Sequence, residues 1–252
     1  MKQTGDPYAA DQADLFISDL HLCVSRPHIT QAFLKFLNST AKQARALYLL
    51  GDVFEYWAGD DDLVSHQDVV NGLRDLADSG VAVYLMHGNR DFLIGDAFCA
   101  AAKLKLLPDP CVIDLHGVRT LISHGDALCS DDLDYQAFRL KVRDKNWQTA
   151  FLQCSLSERK EQIAAMRARS ELEKSHKASD IMDINPQTLN QLLRDHDYPE
   201  RVIHGHTHRP MQHDLSLDGH AITRWVLADW YEQGSYLTID ASGCHYRPIK
   251  QT

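Results

Sequence analysis

The sequence predicts an α/β fold of mixed β-sheets with helices on their outer faces. Three observations carry that expectation. Apolar runs of strand length alternate with amphipathic segments through the first hundred residues, and a mainly strand-like region follows. Five short blocks rich in Asp, His, Asn and Gly each come directly after an apolar run. At 252 residues the chain is long enough for one large domain, or a domain with a sizeable insertion, around a real core.

Leu15-Phe16-Ile17 reads as a short strand ending at Ser18-Asp19. Residues 29–37 have helical spacing, with Phe33, Leu34 and Leu37 on one side. Residues 46–50 form a strand stopped by Gly51-Asp52. A helix is predicted over 67–79 with Gly80 as its C-cap. Residues 81–86 are a strand ahead of Gly88-Asn89, and 91–102 read as a helix that buries Phe92, Phe98 and the alanines. Residues 111–115 and 118–122 flank His116-Gly117 as a tight hairpin, which delivers Ser123-His124-Gly125-Asp126. Val202-Ile203 leads into Gly205-His206-Thr207-His208, and 222–228 and 235–240 are expected to be an antiparallel pair.

The span 131–195 breaks the alternation and reads as three helices. Phe138, Val142, Phe151 and Leu152 give the first an apolar face, with Trp147 nearby. Ile163, Met166 and Ser170 line one side of the second, and its other faces carry Arg159, Lys160, Arg167, Arg169, Lys174 and Lys177. Pro186 opens the third, followed by Leu189, Leu192 and Leu193. A helical insertion of 131–195 between two ligand-bearing strands, within a core of 1–130 and 196–252, is placed to cover a site. It is equally a helical subdomain packed on the sheet.

Composition narrows the function classes. Lys and Arg total 26 against 35 Asp and Glu, a formal charge of −9, which argues against a nucleic-acid partner but not against an anionic small substrate of a metal site. The cysteines at 23, 99, 111, 129, 154 and 244 form no C-x-x-C pair and read as isolated thiols, although Cys23 and Cys129 lie near ligand blocks. Residues 1–12 have no basic start and no apolar h-region, so no signal peptide is expected. No run approaches roughly 18 apolar residues, so nothing is expected to span a membrane. A cytosolic location is the default expectation, with attachment to a membrane surface left open.

The five blocks are D-L-H at 19–21, G-D at 51–52, G-N-R-D at 88–91, S-H-G-D at 123–126 and G-H-T-H at 205–208. In an extended segment, side chains at i and i+2 point the same way, so Asp19 and His21, and likewise His206 and His208, can each address one ion. Asp52 has two oxygens and can bridge. Asn89 supplies a neutral oxygen that leaves room for the charge of a phosphate. The expected ligands are Asp19, His21, Asp52 and His208 for one ion, and Asp52, Asn89, His124 and His206 for a second. Oxygen and imidazole donors without thiolate suit Mn²⁺, Fe²⁺ or Zn²⁺. Such a pair activates water against a phosphoester or pyrophosphate.

These blocks in this order resemble the calcineurin-like metallophosphoesterase superfamily. The longer wording I-S-D-L-H-L, L-L-G-D-V-F-E-Y-W-A-G-D-D, H-G-N-R-D-F-L-I-G, S-H-G-D-A-L-C-S-D-D and G-H-T-H-R-P is similar to its branch acting on UDP-2,3-diacylglucosamine. The resemblance implies a four-layer α/β/β/α sandwich with a helical lid, two metal ions (usually Mn²⁺), and hydrolysis to 2,3-diacylglucosamine 1-phosphate and UMP by water attacking the α-phosphorus. It implies an amphipathic nucleotide-lipid substrate in lipid A biosynthesis, a peripheral place on the cytoplasmic face of the inner membrane, no nucleic acid and no obligate protein partner. Another dinuclear-metal phosphodiesterase or phosphatase of the superfamily is the alternative.

The resemblance also extends the site. Asp19, His21, Asp52, Asn89, Arg90 and His124 are its expected catalytic residues. Arg90 stands where wider members often have His; a guanidinium donates no proton to a leaving group but can hold phosphate oxygens through its fork, which favours pyrophosphate cleavage. Arg90 as a tether for Asp91 is the other reading. Asn89, Arg90, Asp132, Tyr135 and His206 are expected against the phosphate and glucosamine region. Phe138, Trp147, Phe151 and Met166 are expected to line an acyl slot. Arg167, Lys174 and Lys177 are expected to face phosphate or anionic lipid, or simply to be solvated.

Overall fold

The computed structural model describes residues 12–174, 183–232 and 234–249. Two β-sheets stack face to face. The first has the order β11-β10-β1-β2-β3-β4 and the second β5-β6-β7-β9-β8. In the first, β1 (Asp14–Ile17), β2 (Ala46–Leu50), β3 (Ala82–Met86) and β4 (Lys105–Leu107) are parallel. Helices α1 (Pro27–Asn38), α2 (Gln67–Asp78) and α3 (Asp96–Ala102) make the three crossovers. The sheet is completed by β10 (Ser235–Asp240), antiparallel to β1, and β11 (Gly243–Pro248).

Alternation along the strands sorts the core into layers. Leu15, Ile17, Leu47, Leu49, Val83 and Leu85 face α1–α3 and pack with Phe33, Leu37, Leu73 and Phe98. The intervening Phe16, Tyr48, Leu50 and Met86 point the other way and meet Leu115, Ile122, Ile203 and Trp225 of the second sheet. Phe16 stacks on Tyr48 with ring centres 4.5 Å apart, and Tyr48 on Tyr84 at 4.8 Å. The second sheet comprises β5 (Cys111–Leu115), β6 (Val118–Ser123), β7 (Arg201–His204), β8 (Met211–Leu217) and β9 (His220–Val226). Its outer residues Leu121, Val202, Leu217 and Ile222 are covered by Leu189 and Leu193 of α7 (Pro186–Asp195). Helices, sheet, sheet and helix therefore form the four layers of the expected sandwich.

Several local expectations are corrected. Residues 222–228 and 235–240 are not partners: β9 pairs with β7 and β8, whereas β10 pairs with β1 and β11. The chain crosses from one sheet to the other through Trp230, which is buried against Phe33 and Phe36. The helix expected from 91 starts only at Asp96, because the Asp91 carboxylate is engaged with the backbone of neighbouring loops. The span 131–195 holds four helices rather than three among the described residues: α4 (Leu133–Arg143), α5 (Lys145–Leu152), α6 (Leu156–Lys174) and α7. Asp144 breaks the first two apart by accepting from Trp147 N at 2.9 Å as an N-cap.

Helix α7 belongs to the sandwich, whereas α5 and α6 pack beside α1–α3, with Phe151 buried and Trp147, Ile163 and Met166 partly buried against that layer. Arg159 of α6 is buried, pairs with Asp61 and donates to the Ala58 carbonyl, pinning α6 to the segment after β2. Asn185 caps α7, accepting from Gln187 N and Thr188 N at 2.9 Å, and Pro186 occupies its first turn as expected.

Leu193 is fully buried between α7 and the second sheet. Replacing it by Ala is expected to cost about 2–5 kcal/mol in urea unfolding without changing metal stoichiometry. A loss below roughly 1 kcal/mol would show that α7 is not a layer of the core.

Candidate metal centre

All five blocks emerge at the carboxyl ends of β1, β2, β3, β6 and β7, where an open α/β sheet collects its functional loops. The donors do not converge through extended backbone, as the i, i+2 spacing suggested. Asp19, His21, Asp52, His206 and His208 all have left-handed backbone, with φ of 55°, 50°, 53°, 68° and 54°. For non-glycine residues such conformations cost roughly 1–3 kcal/mol each and persist where the surroundings enforce them.

The enforcing contacts run from loop to loop. His21 N donates to the Asp52 carbonyl at 3.0 Å and Asp19 N to that of Gly51 at 3.1 Å. Asp19 Oδ2 accepts from His206 N at 2.9 Å, and Asp52 Oδ1 from Arg90 N at 2.8 Å. The fully buried Asp91 carboxylate accepts from Val53 N at 2.7 Å and Gly88 N at 2.8 Å. Gly88 is required by this approach, since a Cβ there would stand 2.1 Å from Asp52 Oδ1.

Two donor groups result. Asp19, His21 and His208 place donor atoms within 4.8 Å of one another, as do Asp19, Asp52 and His124. In the first, His208 Nε2 lies 3.3 Å from Asp19 Oδ1 and 3.4 Å from His21 Nε2. Asp52 turns Oδ2 toward His21 Nε2 at 3.9 Å and Oδ1 toward His124 Nε2 at 3.7 Å, and so stands between the groups. Asn89 Oδ1 is 3.0 Å from His124 Nε2 and 2.9 Å from His206 Nδ1, which brings these two rings to the second group. Asp19, expected at one ion only, reaches both groups.

The chemistry of these atoms fits divalent cations. Asp19 Oδ1 is buried and accepts no hydrogen bond among the described residues, although imidazole nitrogens face it. Burial drives His21 down to about 2 and His206 to about 3, so both rings are neutral and keep a lone pair. Burial pushes Asp52 up to about 7 against the pull of His124, with the Asp91 and Asp19 charges adding to the rise. Burial also disfavours the His124 cation, but the carboxylates of Asp52, Asp19 and Asp126 outweigh it and lift His124 to about 9. His124 Nδ1 faces the Leu50 carbonyl at 2.8 Å, and His208 Nδ1 lies 3.5 Å from Asp229 Oδ2, contacts that orient an imidazole donor.

The flanks hold the remaining expected residues and several that sequence reasoning missed. Tyr135 lays its ring along His206, with centres 5.8 Å apart, and donates its hydroxyl to the buried Asp126 at 2.7 Å. Burial and that carboxylate push its phenol well up, so it stays a donor. Asp126 also accepts from Arg139 Nε at 2.7 Å. Asp132 N-caps α4 by accepting from Tyr135 N at 3.1 Å. On the other flank, Arg90 and Arg167 stand beside the buried Glu55, and Tyr231 stacks on His21 at 5.1 Å. Asp126 and Glu55 lie within the quoted motifs, whereas Tyr231 and Asp229 follow no ligand spacing and reach the site only through the fold.

The expected slot residues divide. Phe138 is exposed, while Phe151 is a core residue stacked on Trp147 at 4.9 Å; Met166 packs against the same cluster. Lys177 lies outside the described residues, and Lys174 is described only as the last residue of the α6 backbone.

Comparison with known proteins agrees with this geometry. A sequence model of the calcineurin-like phosphoesterases matches residues 15–210. The UDP-2,3-diacylglucosamine hydrolase of Aromatoleum aromaticum is 51 % identical, across 91 % of this chain and 94 % of its own length. The enzyme of that name from Aeromonas hydrophila is 49 % identical over 88 % and 92 %, and that from Stenotrophomonas maltophilia 48 % over 91 % and 95 %.

Because His124 is held protonated up to about pH 9 and Asp52 up to about 7, cation uptake must displace protons at neutral pH. Affinity for Mn²⁺ is expected to rise steadily from pH 6 to pH 9, with proton release visible in calorimetry across buffers of different ionisation enthalpy. A pH-independent affinity would refute the assigned protonation.

Proposed function

The chain belongs to the calcineurin-like phosphoesterase family, and from that premise we propose that it hydrolyses the pyrophosphate bond of UDP-2,3-diacylglucosamine. The products are 2,3-diacylglucosamine 1-phosphate and UMP, a step of lipid A biosynthesis. The observation that carries the reading is Asp52, a buried carboxylate with one oxygen turned to each of two donor groups at the strand ends. Near-half identity along nine-tenths of the chain to enzymes named for that substrate supports the choice of substrate.

Asp19, His21, Asp52 and His208 are the proposed holders of one divalent ion, and Asp52, Asn89, His124 and His206 of the other, with Mn²⁺ as the proposed metal. Two bound ions supply a nucleophilic water at neutral pH and positive charge against phosphoryl oxygens. The chain does the rest. His21 and His206, kept neutral by burial, offer lone pairs without competing protons. The neutral Asn89 amide limits negative charge where the phosphate must enter. Water adds to the α-phosphorus, the bond from that phosphorus to the bridging oxygen breaks, and 2,3-diacylglucosamine 1-phosphate departs as an anion. This leaving group needs little protonation, consistent with Arg90 in place of an acid. The forks of Arg90 and Arg167 bind phosphate oxygens, and the Tyr135 hydroxyl, whose proton goes to Asp126, accepts from a sugar hydroxyl.

Helices α4–α6 are the proposed cover over the lipid part, with Trp147 and Met166 in its wall. No helix among the described residues is long and apolar enough to cross a membrane. The proposed location is peripheral, on the cytoplasmic side of the inner membrane, where an acylated substrate resides.

With Mn²⁺ the protein is expected to release UMP from UDP-2,3-diacylglucosamine far faster than it cleaves bis-p-nitrophenyl phosphate or cyclic AMP; preference for either small diester would overturn the substrate. In heavy-oxygen water the label is expected on UMP, and label on the lipid phosphate would overturn attack at the uridine side. Asp52→Ala should lower kcat by at least about a thousandfold with the fold retained by circular dichroism. Near-normal turnover would remove Asp52 from its bridging place.

A further inference from the structure

Glu55 follows β2 in the segment that also bears Asp52, and its carboxylate is buried, with 5 % of the residue exposed. Three arginines from separate parts of the chain surround it. Arg26, which precedes α1, pairs with Glu55 Oε2 and donates to the His21 carbonyl at 3.0 Å. Arg167 of α6 donates to Oε1 at 2.6 Å. Arg90, from the loop after β3, has Nη1 3.8 Å from the same oxygen. Arg26 also lies over the ring of Tyr231 at 4.8 Å, and that ring stacks on His21.

Arg26 and Arg167 each pair with one oxygen of the Glu55 carboxylate and Arg90 lies beside it, so cationic forks collect next to the Asp19–His21–His208 group. The Nε–H groups of Arg26 and Arg167 are buried with no acceptor among the described residues. Buried donors without acceptors are costly, and a bound anion would satisfy them. A pyrophosphate with an ester on each phosphorus carries two negative charges and offers an acceptor phosphate to each of these two forks; a simple phosphodiester carries one.

We propose that Glu55 is a positioning residue for this reaction: it gathers Arg26, Arg90 and Arg167 so that their guanidinium forks meet the two charged phosphates of the substrate, and it ties α6 to the floor of the site. The inference rests on the pyrophosphatase reading above. Without the carboxylate, three like charges at close quarters repel, and the longer-reaching Arg26 and Arg167, with 30 % and 37 % of their side chains exposed, turn out to solvent. The binding geometry is lost while the metal donors stay in place.

The test is steady-state kinetics of full-length Glu55→Gln, Glu55→Asp and Arg26→Ala with UDP-2,3-diacylglucosamine, alongside Mn²⁺ titration by calorimetry. Glu55→Gln is expected to raise KM about tenfold or more and change kcat less than about threefold. Two Mn²⁺ should still bind per chain with unaltered affinity. Glu55→Asp, which keeps the charge, should recover most of the loss. Arg26→Ala should raise KM less, and add nothing in the Glu55→Gln background. An unchanged KM, a fall in kcat alone, an Asp variant no better than Gln, or weakened Mn²⁺ binding would each overturn the proposal. If Glu55→Gln does not fold, the half-exposed Arg26→Ala decides it alone: an unaltered KM rejects the cluster. Wild-type protein that releases no UMP would instead overturn the functional reading, whereas active wild type matched by Glu55→Gln would overturn only the positioning role.

Discussion

The candidate centre depends on one kind of bond: a buried carboxylate on one loop accepting backbone N–H groups from another. Asp91 takes Val53 and Gly88, Asp52 takes Arg90, and Asp19 takes His206. All of these except Asp91–Gly88, which lies within one loop, tie the end of one strand to the end of a different one, and the Asp19–His206 bond joins the two sheets. Left-handed backbone at five donors is affordable only in that setting, since isolated loops would relax out of it. Charge-assisted bonds of this type are shorter and stronger than neutral ones, and here they are fully desolvated.

A second set of carboxylates works outward from the donors. Asp126 receives Tyr135 and Arg139 of α4, and Asp61 and Glu55 receive Arg159 and Arg167 of α6. Arg143, at the end of α4, donates to the Gly88 carbonyl at 2.9 Å. The helices beside the site are thus attached by polar contacts to the loops that carry the donors, while the apolar residues of α5 and α6 pack on the α1–α3 layer. The flanking helices and the metal donors share one framework, although they come from different layers.

Much of this was legible along the chain because it is local. Each ligand block directly follows an apolar run, so strand ends and donor identities could be read together, and Pro186 and Gly80 marked helix ends correctly. What escaped was tertiary. Residues 222–228 and 235–240 looked like an antiparallel pair because they are close in sequence, but the buried Trp230 carries the chain between sheets. Strands β8, MQHDLSL, and β11, GCHYRP, are edge strands without a clean apolar alternation. Left-handed backbone at Asp19 and His206 has no signature in spacing. The Glu55 cluster and Tyr231 assemble from positions far apart in sequence, and no periodicity relates them.

The placement of α4–α6 has a wider consequence. They sit within the connection between β6 and β7, and Asn185 N donates to the Leu128 carbonyl at 2.8 Å while its side-chain amide donates to Asp131 Oδ1 at 2.8 Å, so the excursion of α4–α6 leaves and returns at nearly the same point. Closing a longer or shorter excursion there changes the chain entropy only slowly with its length. Exchanging this module would cost the sandwich the burial of Phe151 and the Arg159–Asp61 pair, but not the continuity of the loops that carry the donors. These helices can therefore change what stands above the donor loops without rewriting the loops themselves.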